Sequence, residues 1–161
     1  MFDISTVRSR PMLYIVTSAS DRSSSIASTV KTSLEQVRQF MHERGVVGDG
    51  EPIAVLSDWT GRLVTIEAGF PFEGPVPSLE DSRVQAGRTP GGGAASVAVG
   101  EFSIDHARLH ERFAAELRAA GHLLTGVAWE EYAADPSGVM VVTRLFAQLL
   151  PPDEKSSRDT D

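Results

Sequence analysis

The 161-residue sequence sets 15 Lys and Arg against 22 Asp and Glu, is 41% hydrophobic and contains no cysteine. It is too apolar for a disordered chain and fits one compact domain, or two small halves sharing a core; disulfides, thiolate nucleophiles and cysteine-ligated metal sites are excluded. The net charge of −7 works against nucleic-acid binding, which needs clustered basic surface, and favours cationic or neutral partners.

The first apolar run, residues 12–16, is too short for the core of a signal peptide, and no later run approaches membrane-spanning length. A soluble cytoplasmic domain with no membrane partner is expected. Residues 12–17 read as a strand. From 23 to 44, Ile26, Val30, Leu34, Val37 and Met41 recur at helical spacing, with Glu35, Gln39 and Glu43 off that stripe. Ser23 to Ser25 are positioned to cap this helix, and Gly45 suits the left-handed position after it. Residues 52–56 and 62–70 read as two strands joined by the turn-rich interval 57–61. Residues 72–82, with Pro75, Pro77, Gly74 and three acids, read as an exposed connection.

The order then repeats. A strand over 94–99 precedes a helix over about 103–120 ended by Gly121, with Leu109, Phe113 and Leu117 as its apolar stripe. Strands follow near 126–132 and 139–149. The architecture is α+β: a tandem βαββ duplication, halves about 4–71 and 83–150, forming one antiparallel sheet with both helices on one face. The repeat rests on element order and on a helix-to-helix offset of about 80 residues. The tail, 151–161, is Pro-led, charged and expected to be disordered.

Strand alternation puts Val64, Ile66, Ala68 and Phe70 on one face and Glu67 on the other, the open side of the sheet. Glu67 is either a solvated carboxylate or part of a groove there. In Trp129-Glu130-Glu131-Tyr132, Glu130 and Tyr132 share one face and Trp129 and Glu131 the other. A glutamate among aromatic rings binds organic cations, and beside a tyrosine hydroxyl it also suits general acid–base work; an edge strand with solvated acids is the plainer alternative. His106 and His110, four apart on the second helix, lack the glutamate of a zinc-protease motif and any evident third ligand, so they are read as packing at the edge of the apolar side, with no metal. Gly91 to Gly93 lack the Lys and Ser/Thr of a phosphate loop and shape a turn. No cofactor is expected.

Several short segments resemble the GyrI-like small-molecule-binding domain, the effector-binding domain of AraC- and MerR-type regulators. They are Gly50-Glu51-Pro52, Glu67-Ala68-Gly69-Phe70-Pro71, Thr89-Pro90-Gly91-Gly92, Gly100-Glu101-Phe102, and Glu130-Glu131-Tyr132 followed by Asp135-Pro136. The resemblance implies two βαββ units around a central pocket, with Glu130 as the carboxylate that meets bound cations and Tyr132 lining the same pocket. The sequence departs from the family at Leu56-Ser57, where a tyrosine often stands, and at Phe102, which replaces another. Fewer hydroxyls leave the cavity more apolar, and Trp59 and Trp129 are the rings available to line it.

The leading expectation is a stand-alone domain that binds hydrophobic, cationic small molecules through Glu130, Tyr132, Glu67, Trp59, Trp129 and Phe102. Its first strand lies about a dozen residues in, which leaves no room for a DNA-binding segment ahead of it. The resemblance also extends to hydrolases that open strained cyclopropane rings of cytotoxic natural products. In that alternative Glu130 orients or deprotonates water and Tyr132 polarises the leaving atom. A third alternative is a protein partner, as in the gyrase-inhibitor members of the family.

Overall fold

Residues 1–99 and 105–151 are described by the structure, a computed structural model. The elements in chain order are β1 (Asp3–Val7), β2 (Pro11–Ser20), α1 (Ser23–Arg44), β3 (Val47–Gly48), β4 (Ile53–Thr60), β5 (Leu63–Glu73), β6 (Gln85–Arg88), β7 (Gly92–Ala98), α2 (His106–Ala119), β8 (Leu124–Ala134) and β9 (Met140–Leu149). The first strand thus begins at residue 3, ahead of the expected start.

All the pairings are antiparallel, and the sheet runs β1-β7-β9-β8-β4-β5-β2-β6, with β3 joined to β5. Read outward from the β4–β8 contact, one side is β4, β5, β2 and the other is β8, β9, β7. Each set has its helix between its first and second strand in sequence, so the two βαββ units are related by a pseudo-twofold axis through that contact.

Alternation along the strands sorts the apolar side chains onto two faces. Leu13 and Ile15 of β2, Val64 and Ile66 of β5 and Leu145 of β9 turn to the helix face. There they pack with Ile26, Val30, Leu34 and Val37 of α1 and Phe113 and Leu117 of α2 in one cluster. Burying each such Leu, Ile or Phe is worth roughly 1.5–3 kcal/mol, so this face dominates folding. The opposite face carries Met12, Ile53, Val55, Ala94, Trp129 and Phe146. Met12 and Ala94 sit on strands far apart in the sheet order, so the sheet coils on this side.

Local chemistry departs from expectation in three places. The residue before α1 is Arg22, extended and making no side-chain cap, so Ser23 to Ser25 fall inside the first turn, one position too late for capping. Gly45 does close the helix, at φ 65°. The β4–β5 hairpin turns at Gly61-Arg62 rather than across 57–61; β4 runs on to Thr60 through an irregularity after Ser57, with Asp58 at φ 50°. Phe72 is buried at the end of β5, not in an exposed connection, and residues 85–88 add an edge strand on β2. The start of the second helix expected at 103 and the tail from 152 lie outside the described residues.

Candidate functional site

The N-terminus of α2 is set by Asp105, whose side chain accepts from the Arg108 amide at 3.2 Å. Starting the helix there puts His106 and His110 one turn apart on the face that carries Phe113 and Leu117, and all four are buried. Beneath them runs β8, held between β4 and β9. Glu130 pairs in register with Ala54 and Leu145, so it points to the helix face.

Glu130 is 0% exposed. His106 Nδ1 lies 2.6 Å and His110 Nε2 3.3 Å from its Oε2, while the Tyr132 hydroxyl donates to Oε1 at 2.6 Å. Burial pushes a carboxyl pKa up, but the hydrogen bonds from His106 and His110 and the charge of their rings outweigh it and hold Glu130 at about 2. The carboxylate is therefore ionised, and both imidazoles must carry a proton on the nitrogen that faces it. Burial, then the neighbouring charge of Glu130, drives the Tyr132 phenol well above its ordinary value, so it stays a donor. Trp59, 39% exposed, reaches the same place from β4, its ring centroid 6.2 Å from that of His110.

The expected site residues divide between the two faces. Glu130, Tyr132 and Trp59 gather under α2. Glu67 and Trp129 both stand opposite Val55 in the sheet, which places them on the other face. Trp129 is buried there, stacked on Phe146 with ring centroids 4.9 Å apart and planes 3° apart. Glu67 is half-buried, and burial and the charge of Asp58 raise its carboxyl. Phe102 lies outside the described residues. The histidines, expected as edge packing, are instead the groups that cover Glu130. Their legible signal was two histidines on the buried stripe of a helix, facing a strand whose helix-side glutamate needed partners.

A shallow pocket of about 420 Å³ opens elsewhere, between α1 and residues 81–84, lined by Glu35, Gln39, Phe40, Asp81 and Val84 among others. Its surroundings lack the convergent buried polar groups found at Glu130, and openness to solvent makes it the weaker candidate despite its volume. Among the described residues, no group of three His, Cys, Asp or Glu is arranged to hold a metal ion. No helix among them is long and apolar enough to cross a membrane.

No protein-family model matches the sequence, and no curated protein matches it either. Solved structures do. The C-terminal domain of EcmrR aligns with a TM-score of 0.73 at 11% identity, covering 93% of this chain and 97% of that one. In the EcmrR–DNA complex the chain spans 57% of the EcmrR chain. SAV2435 bound to tetraphenylphosphonium aligns with a TM-score of 0.59 at 8% identity, covering 96% of each chain. A hydrolase from Listeria innocua aligns with a TM-score of 0.55 at 14% identity over 92% of this chain and 91% of that one. The chain shares the fold of these proteins, and that is the fold its resemblance to the GyrI-like domain implies.

Proposed function

We propose that this chain binds small molecules, and that its ligands are hydrophobic cations held at Glu130. The observation that carries this is an ionised carboxylate with no solvent exposure, bounded by Tyr132, two imidazoles and the Trp59 ring. A buried anion of this kind has a large electrostatic interest in a cation, and the rings supply apolar walls and π faces. The fold-sharing protein SAV2435 is known with tetraphenylphosphonium bound, which supports that ligand class.

The test is titration with tetraphenylphosphonium and with the neutral triphenylphosphine oxide. Glu130→Gln keeps the shape and removes the charge. Cation affinity is expected to fall about ten- to a hundredfold, the worth of a charge-assisted contact, with little change for the neutral compound. Equal cation affinity in wild type and variant would overturn the assignment.

A second reading is hydrolysis, favoured by the Tyr132–Glu130 contact between a group held acidic and one held protonated. Pairs whose environments drive their pKa values apart are the usual basis of acid–base division of labour. A carboxylate held near 2 is nonetheless a weak general base, which is why binding is the leading reading. In this alternative Glu130 orients a water and Tyr132 polarises the leaving atom. Ring opening of cyclopropane-bearing alkylators, followed by mass spectrometry, is expected to fall in both Glu130→Gln and Tyr132→Phe; turnover that survives both changes would exclude these residues.

A further inference from the structure

Glu130 and Tyr132, two apart on β8, reach the helix face together by ordinary alternation. Trp59 does not reach it that way. Strict alternation from Leu56, which packs in the core beneath the helices, would put Ser57 and Trp59 on the open face of the sheet. Yet the Trp59 ring lies beside that of His110 on α2. The pairing of β4 with β5 gives the reason. Ser57 stands opposite Thr65 and Thr60 opposite Leu63, so Asp58 and Trp59 share the single place opposite Val64, a residue of the helix-side core. The strand carries one extra residue, a β-bulge, and from Trp59 onward its faces are exchanged.

The insertion sits on the backbone of Asp58, at φ 50°. In one common bulge the first of the two residues is left-handed and is usually glycine. Of the other residues, aspartate and asparagine enter that region most readily, because their short polar side chains bond locally, and β-branched residues hardly enter it at all. The Thr60 hydroxyl donates to the Asp58 carbonyl at 3.0 Å and braces the irregularity. The ring delivered by it is 39% exposed. An indole left so open adds little to the core, and its exposed face is available to an aromatic or cationic guest.

We propose that Asp58 is a positioning residue of this site: its left-handed backbone inserts the residue that carries Trp59 from the open face of the sheet to the helix face, beside His110. This rests on the reading of Glu130 as a cation site. Asp58 acts through Trp59 and not by its own charge. Without the insertion Asp58 would take the helix face, and the indole would pass to the face that holds Glu67 and Trp129. One residue of strand length thus decides whether the site offers its guest a π face.

The experiment pairs two uncharged substitutions, so that loss of the Asp58 carboxylate is common to both. Asp58→Asn keeps a residue that accepts φ 50°, and Asp58→Val introduces a β-branched one that does not. Titration with tetraphenylphosphonium and nuclear Overhauser contacts between the Trp59 and His110 rings are measured for each. Asp58→Asn is expected to keep the ring contact and to bind within about twofold of wild type, the small difference an exposed charge makes. Asp58→Val is expected to lose the contact and to bind severalfold more weakly, the same loss as Trp59→Ala, with no further loss when the two are combined. Deletion of residue 58, which restores strict alternation, is expected to do the same. Ring contact and affinity retained in either Asp58→Val or the deletion variant, whichever folds, overturn the inference and leave the cation site standing. So do losses in Asp58→Val and Trp59→Ala that add, or an Asp58→Asn as weak as Asp58→Val. A wild type that binds no cation overturns both readings.

Discussion

Tyr132 stands two residues after Glu130 on the same strand, and its hydroxyl donates to Oε1 at 2.6 Å while both imidazoles take Oε2. The two oxygens of one buried carboxylate are thus served from two elements, one by its own strand and the other by the helix that covers it.

Tyr132→Phe removes the strand's share and nothing else of the shape. Leaving a buried charged acceptor short of a partner costs about 1–3 kcal/mol. That loss is expected in urea unfolding; a midpoint equal to wild type would mean that the phenol contributes nothing to holding the carboxylate.

Acid stability follows from the same carboxyl. Its native pKa, about 2, lies below the ordinary glutamate value, so the folded state favours the ionised form. The resulting stability is fully present above the unfolded-state pKa and is lost as pH falls from about 5 through 2. Thermal melts across this range should show wild type losing stability more steeply than Glu130→Gln, and parallel curves would contradict the assignment.

The two tryptophans give opposite expectations. Trp129→Ala empties a buried stack on Phe146 and is expected to cost about 3–5 kcal/mol of stability while leaving the Glu130 face in place. Trp59→Ala, at a half-exposed ring beside His110, is expected to cost little stability and to weaken binding of aromatic cations severalfold. Unfolding and binding titrations on both variants would reveal a reversal, which would mean that the faces have been assigned the wrong way round.

Much of this frame was written in periodicity. The stripe from Ile26 to Met41 and the alternation from Val64 to Phe70 place the helices on one sheet face, and the same alternation separates Glu130 from Trp129. What periodicity does not encode is pairing across the chain. Alternation parts Glu130 from Trp129 within one strand and Glu67 from the apolar side of another, but only the register through Val55 shows that Glu67 and Trp129 share the face that Glu130 does not. His106 and His110 looked like packing because burial of a polar ring is legible in sequence only once its partner is known. Ser23 to Ser25 misled because capping depends on a single position, and the helix began one residue early.

The pseudo-twofold frame is not matched by its chemistry. At the central contact Glu130 faces Ala54 across the ladder, and where α2 presents His106 and His110, the buried stripe of α1 is Ile26, Val30, Leu34 and Val37. Two halves of similar shape therefore enclose a single polar centre, displaced to one side of their axis. A polar group on the axis would be served alike by both halves; Glu130 is served by α2 and its own strand, and the half that carries α1 gives it only the apolar face of Ala54.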